Sequence, residues 1–215
     1  IKTNKFNDLI DEKIKDVHPN ISLKIKDVFL KLNLKEKAIK INTQNTKVYI
    51  DKNFIDLSNL DINIDLIKFL RNENSLKNIR IISKENSIKN VTSFLNSYKF
   101  NLSRFIIFNQ IEDGNIKIKA NIYSNEKKVN DFTYEISGEI KNTKVNIFNN
   151  NYINKINFNF NIKDKIFNFN NIKLQYENLN FKSKKIIVKR KGKNFEINGN
   201  LKNERALIKL DTISK

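Results

Sequence analysis

His18 is the only imidazole in the chain, and cysteine is absent. A catalytic triad holds a histidine between a nucleophile and a carboxylate, and a zinc centre needs several histidine or thiolate ligands. One histidine beside the helix-stopping Pro19 supplies neither, and it reads as a solvated helix end. The carboxylates Asp61, Asp65, Glu112 and Asp113 are scattered and are expected at strand ends and turns. No glycine loop that would cradle a phosphate is present, and no zinc-protease or nucleophile-elbow motif. The expectation is a non-enzyme with no catalytic residue, no metal ligand and no cofactor.

The spacing that does carry physical chemistry is apolar. Residues 155–181 read KINFNFNIKDKIFNFNNIKLQYENLNF. Ile156, Phe158, Phe160 and Ile162 alternate with asparagines, and Phe167 and Phe169 resume the pattern. It slips by one residue at Asn170-Asn171 and continues as Ile172, Leu174 and Tyr176. A period of two sends side chains to opposite faces of a strand, so one face is oily and the other wet. Ile116, Ile118 and Ile122 repeat the pattern upstream, as do Tyr134 with Ile136 and, downstream, Phe195 with Ile197. Aromatic residues among basic ones can form a stacking platform for single-stranded nucleic acid. Here the intervening residues are mainly asparagine and the aromatics share the aliphatic face, which describes a core or the lining of a cavity.

The formal charge is +18, almost all of it from lysine, since Arg71, Arg80, Arg104, Arg190 and Arg205 are the only arginines. Arginine's planar fork is the usual reader of phosphate and guanine, whereas lysine is a point charge. Lys, Asn, Ile and Phe are enriched together, and all have AT-rich codons, so the lysines are expected to be generic surface and nucleic acid is not the expected partner. With 16 Phe but only four Gly and one Pro, the chain has core-forming residues and must build its turns from Asn, Asp, Ser and Lys. No apolar run is long enough to cross a membrane as a helix. The chain opens at Ile1, from which a piece of a longer protein is expected, its signal or anchor removed.

The elements that position the oily strip follow from the same periodicity. A helix is expected over 4–17, with Phe6, Leu9, Ile10, Ile14 and Val17 on one face. Ile21, Leu23 and Ile25 alternate, then the frame slips to Val28, Leu30, Leu32 and Leu34, which is how a bulge looks in sequence. AIKINTQNTKVYI is read as a hairpin turning near Gln44-Asn45. Leu60, Ile62, Ile64 and Leu66 form a strand that runs into a helical turn at 65–70, and Ile79 and Ile81 begin the next. A helix is expected over 87–99, capped by Asn86 or Ser87. From 104 onward the expectation is strand after strand, with a turn at Asp113-Gly114 and strands through Val145 with Ile147, Ile186–Val188 and Ala206, Ile208 and Leu210. YEISGEIKN at 134–142 returns as FEINGNLKN at 195–203, which should put Gly138 and Gly199 at equivalent bends of neighbouring parts of the sheet. A transmembrane β-barrel is disfavoured by the irregular strand lengths and the intervening helices.

This order of elements resembles the AsmA-like family of bacterial envelope proteins, the central region of its YhdP branch most closely and TamB more distantly. The matching stretches are FNDLIDEKIKDV, ISLKIKDVFLKLN, AIKINTQNTKVYID, LSNLDINIDLIKFL with IRIISKE, SIKNVTSFLNSYK, and the antiparallel run that includes YEISGEI at 134–140. The resemblance implies a mainly β fold: a long twisted antiparallel sheet curled into an open, taco-like groove, with an N-terminal helix and one helix near 87–99. It implies one segment, 1–215, which would divide if at all into 1–85 and 86–215. It further implies a periplasmic protein held at the inner membrane through a missing N-terminal anchor, moving phospholipid towards the outer membrane. The groove would then be lined by the alternating residues named above, with phospholipid acyl chains as partners. Exposing an acyl chain of about sixteen carbons costs on the order of 13 kcal/mol, and an oily strip removes most of that cost. A structural or adhesive all-β domain needs the same one-sided strands and stays open as an alternative, as does a basic polyanion binder.

Overall fold

Sustained alternation leaves every second side chain needing cover, and a broad antiparallel sheet meets that need by gathering all of them on one side. The computed structural model describes residues 2–3, 20–71, 73, 75–98, 102–124, 132–148, 151–192 and 194–203. The expected helix over 4–17 and the strand at 206–210 lie outside the described residues. The strands are β1 (Lys2–Thr3), β2 (Ile21–Lys24), β3 (Asp27–Asn33), β4 (Ala38–Ile50), β5 (Asn53–Asp65), β6 (Leu76–Ser83) and β7 (Asn86–Ser87). They continue as β8 (Ile111–Ser124), β9 (Phe132–Phe148), β10 (Asn151–Lys163), β11 (Ile166–Tyr176), β12 (Leu179–Lys191), β13 (Asn194–Gly199) and β14 (Lys202–Asn203).

All fourteen form one antiparallel sheet in the order β1-β3-β4-β5-β6-β8-β9-β10-β11-β12-β13, with β2 beside β4, β7 beside β8 and β14 beside β12. The sheet is mainly built from sequential hairpins and is not closed into a barrel. β6 and β7, which lie on either side of residues 84–85, both pair with β8.

One line of irregularities crosses nearly the whole sheet. Asn45, Gly114, Asn142, Lys155 and Asn171 all have positive φ, at 51°, 137°, 51°, 50° and 55°. The pairings of β8, β9, β10 and β11 shift register beside the last four of these residues. A bulge adds a residue to a strand and flips which parity faces inward. The apolar pattern flips with it, so the oily residues stay on one face on both sides of the line. In β4 this puts Thr43 and Thr46, three apart, on the same face, with their hydroxyl oxygens 2.8 Å from each other. The slip expected at Asn170-Asn171 is this bulge, and the slip after Ile25 is the break between β2 and β3 opposite Asn45.

Four local expectations are corrected. Gln44-Asn45 is no hairpin, because β4 continues through it and both halves pair with β5. Asp113-Gly114 likewise lies within β8, where the Gly114 N–H donates to Asp113 Oδ1 at 2.7 Å. In both places left-handed backbone that would suit a turn creases a strand instead. Asp61 sits mid-strand, accepting from Asn42 and Asn59 on the polar face. The stretch after 104 begins with a helix, α3 (Leu102–Asn109), and a strand follows only at Ile111. Short apolar runs such as LSRFIIFN fit either element by periodicity.

The remaining helices are near the expected positions. Helix α1 (Leu66–Leu70) is capped by Asp65, whose Oδ1 accepts from the N–H groups of Ile67 and Lys68 at 2.9 and 3.0 Å. Helix α2 (Ile88–Tyr98) buries Ile88 and Val91 and packs on β5 and β8. Asn86 does not cap it. Its amide instead stands in for a strand, accepting from Asp56 N at 2.9 Å and donating to Asp56 O at 3.1 Å and Lys84 O at 2.8 Å.

Candidate functional site

Directly paired residues of an antiparallel sheet share a face, so register decides which residues form one surface. Phe160 pairs with Gly138 and with Phe169. The row continues through Ile118, which pairs with Gly138, and through Ile186 and Gly199 beyond Phe169. The next row reads Ala120, Ile136, Ile162, Phe167, Val188 and Ile197. Tyr134 pairs with Ile122 in the row after that. On the near side of the bulges, Phe158 pairs with Ile140 and Ile140 with Ile116. Beyond them come Ile156 opposite Thr143, then Ile172, Leu174 and Tyr176 opposite Ser183, Phe181 and Leu179. Phe195 shares the face of Ile197, two residues along β13. The structure therefore gathers every candidate groove residue onto one face.

Cover on that face is graded. Phe160 and Ile172 are buried, at 9% and 7% exposure, while Phe158, Phe169, Ile118, Ile136 and Ile162 are only half-buried in mid-sheet. Towards the edge strand the face opens further, to 59% at Phe195 and 71% at Ile197. Phe158 meets Phe169 edge-on at 5.5 Å between ring centroids and Phe160 at 6.4 Å. Helix α2 lies over part of this face, where Asn53 Nδ2 donates to Ser97 Oγ at 2.9 Å.

The strip is wider than the residues singled out from sequence. Leu30, Ile41, Ile62 and Ile79 extend the row of Ile122 across β3 to β6. Val28, Thr43, Leu60 and Ile81 extend the row of Ile136 in the same way. Their alternation was legible in the sequence. That they join the strip of β8–β13 depends on the sheet order.

Glycine and small polar residues shape the floor. A Cβ on Gly138 would stand 2.3 Å from Lys117 O and 2.7 Å from Phe160 Cζ, so the ring lies where a side chain would be. Gly199 is covered the same way, its Cβ position 2.8 Å from Ile186 Cγ1. The echoed glycines thus occupy one row as sites of close approach, four strands apart and without a bend of their own. Along the crease the buried residues are Thr43, Thr46, Ser83, Asn86, Thr143 and Ser183. Thr43 and Thr46 bond to each other, while the side chains of Ser83, Asn86, Thr143 and Ser183 serve backbone groups, as where Ser83 Oγ accepts from Ile118 N at 2.8 Å.

The opposite face is polar and explains the asparagines. Asn42, Asn59 and Asp61 bond to one another across β4 and β5, Asn63 donates to Asn78 at 2.6 Å, and Asn161 donates to Glu135 at 3.2 Å. Exposed ion pairs join Lys141 to Glu139 at 2.9 Å and Lys144 to Glu112 at 2.7 Å. The hydrogen bond from Lys144 holds the Glu112 carboxyl below its ordinary range, and the same contact raises Lys144. Among the described residues no cluster of three or more His, Asp or Glu side chains could hold a metal ion. No helix among them is long and apolar enough to cross a membrane. Comparisons of the chain with protein-family models, with curated proteins and with solved structures find no match.

Proposed function

We propose that this chain is one segment of a lipid conduit whose apolar face shields phospholipid acyl chains, working in a bacterial envelope between inner and outer membranes. The observation that carries the reading is the half-burial of large side chains in the middle of a fourteen-stranded sheet. Phe158, Phe169, Ile118 and Ile136 have neighbouring strands on both sides, yet retain exposed apolar surface. In a closed β-sandwich, side chains at such central positions interdigitate with a second sheet about 10 Å away and lose nearly all contact with water.

Dimensions fit the cargo. From β3 to β13 the sheet order makes nine strand-to-strand steps, about 43 Å at 4.8 Å each. A phospholipid tail spans about half of a ~30 Å hydrocarbon core, so a tail lying across the strands finds continuous cover. The headgroup stays in water, which requires no polar reader inside the strip. Phospholipid co-purifying with the chain, detected by native mass spectrometry and identified by extraction, is the expected result. A chain that neither carries lipid nor takes it up from vesicles would instead be a structural β-domain.

A further inference from the structure

Turns at the end of a sheet are ordinarily polar, and one end of this sheet departs from that rule. The turn between β3 and β4 carries Leu34 at 70% exposure, and Leu32 just before it stands at 57%. Lys37 O accepts from Leu66 N at 2.9 Å, which sets this turn beside helix α1. The helix points its apolar residues away from the protein. Ile67, Phe69 and Leu70 are exposed, Leu70 at 69%, while Lys68 between them is half-buried. A surface helix that packs on its own protein directs its apolar stripe inward. Here a turn and a helix gather five exposed large apolar side chains at one end of the sheet, and such a cluster marks a contact with something else.

The setting is basic. Residues 31–40 and 65–73 hold Lys31, Lys35, Lys37, Lys40, Lys68 and Arg71 against only three carboxylates. Two of those are already engaged, Glu36 with Lys40 at 2.6 Å, and Asp65 as the cap of α1 and with Lys77 at 3.1 Å. We infer that this end docks on an anionic lipid bilayer, its leucines and phenylalanine entering the interface and its cations meeting lipid phosphates. Apolar burial and attraction to anionic headgroups add in this way wherever a protein segment lies on a membrane surface. A bilayer accepts such side chains without a shaped pocket. A turn and a five-residue helix fall short of the roughly 20–30 residues that each side of a standard protein interface uses. The end also adjoins the apolar strip, since Leu32 pairs with Ile39 and Ile39 with Ile64, one row beyond Leu30, Ile41 and Ile62. A tail leaving the bilayer here would meet the strip at once, and in that sense the inference rests on the conduit reading.

The test is sedimentation of the full chain with vesicles of phosphatidylcholine, alone or containing phosphatidylglycerol. The anionic vesicles should bind about tenfold or more strongly, with the gain falling as salt is raised. Leu34→Ser/Phe69→Ser/Leu70→Ser keeps the charge and should lose about tenfold or more of that binding. Lys35→Gln/Lys37→Gln/Arg71→Gln should lose as much, whereas Lys52→Gln/Lys117→Gln/Lys173→Gln, with the same charge loss elsewhere on the surface, should stay within about threefold. All these side chains are exposed, so circular dichroism should show each variant folded. The chain has no tryptophan, which makes Leu34→Trp a single probe whose emission should shift to the blue on anionic vesicles. Absence of any preference for anionic vesicles, equal losses in the two charge variants, undiminished binding by the serine variant, or an unshifted emission overturns the inference. A chain that carries phospholipid yet ignores vesicles loses the docking end and keeps the conduit, and one that docks without carrying phospholipid does the reverse.

Discussion

Replacing Phe158 by aspartate separates an open groove from a closed core. Phe158 is half-buried and holds two aromatic contacts, to Phe169 and Phe160. Losing most of the burial of a phenylalanine costs about 1–2.5 kcal/mol, and two ring pairs add about 0.5–1.5 kcal/mol each. Water reaching a partly exposed carboxylate keeps the charge itself affordable, so the total comes to about 2–5.5 kcal/mol. For a chain of this size that is a fall of about 10 °C in melting temperature, with a folded protein remaining. Phe160 provides the internal contrast, because it is 9% exposed and its ring lies over Gly138. A carboxylate there has little access to water, and its burial costs several kcal/mol beyond the lost packing, enough to remove most of the stability of an ordinary domain. Differential scanning calorimetry on Phe158→Asp and Phe160→Asp, with phospholipid quantified in each preparation, makes the comparison. Phe158→Asp should fold and carry less lipid, while Phe160→Asp should unfold. If Phe158→Asp unfolds as completely as Phe160→Asp, the face is a sealed core. If it folds and carries lipid undiminished, tails do not pass this point.

Other consequences can be checked by melting. Thr46→Val leaves the buried Thr43 hydroxyl without its 2.8 Å partner and should cost about 1–3 kcal/mol, whereas the Thr43→Val/Thr46→Val double variant should recover most of the loss. Gly138→Ala puts a methyl 2.3 Å from Lys117 O and 2.7 Å from Phe160 Cζ, and should destabilise by about 1–3 kcal/mol as an overpacked site, with near-ultraviolet circular dichroism reporting displaced phenylalanines. Glu112 has a lowered folded pKa, so its contribution is complete above the unfolded carboxylate value and is lost as pH falls through the folded one. Lys144 is raised, so its share is complete below the unfolded lysine value and is lost as pH rises through the folded one. Glu112→Gln should therefore flatten both the acid and the alkaline limbs of the melting-temperature profile, and unchanged limbs would show that this exposed pair contributes nothing.

What the sequence determined by itself was the identity of the strands and of their oily sides. A period of two is a local property, and the apolar alternation at 155–169 admits one backbone conformation and one inward set. Even the slip at Asn170-Asn171 was legible, because the pattern changes parity there and Asn171 tolerates the left-handed backbone that a bulge requires. The same chemistry misled at Gln44-Asn45 and at Asp113-Gly114. A left-handed residue serves a turn and a bulge equally, and the choice depends on whether a partner strand continues past it, as β5 does past Asn45. Helix α3 was missed because Leu102–Asn109 is short and apolar enough to satisfy both periods. Cover over the oily face, the joining of β3–β6 to the strip of β8–β13, and the meeting of the Leu34 turn with helix α1 are decided only in three dimensions. Each depends on which strands become neighbours and in what register, and residues that meet there are separated along the chain by intervals that no local period encodes.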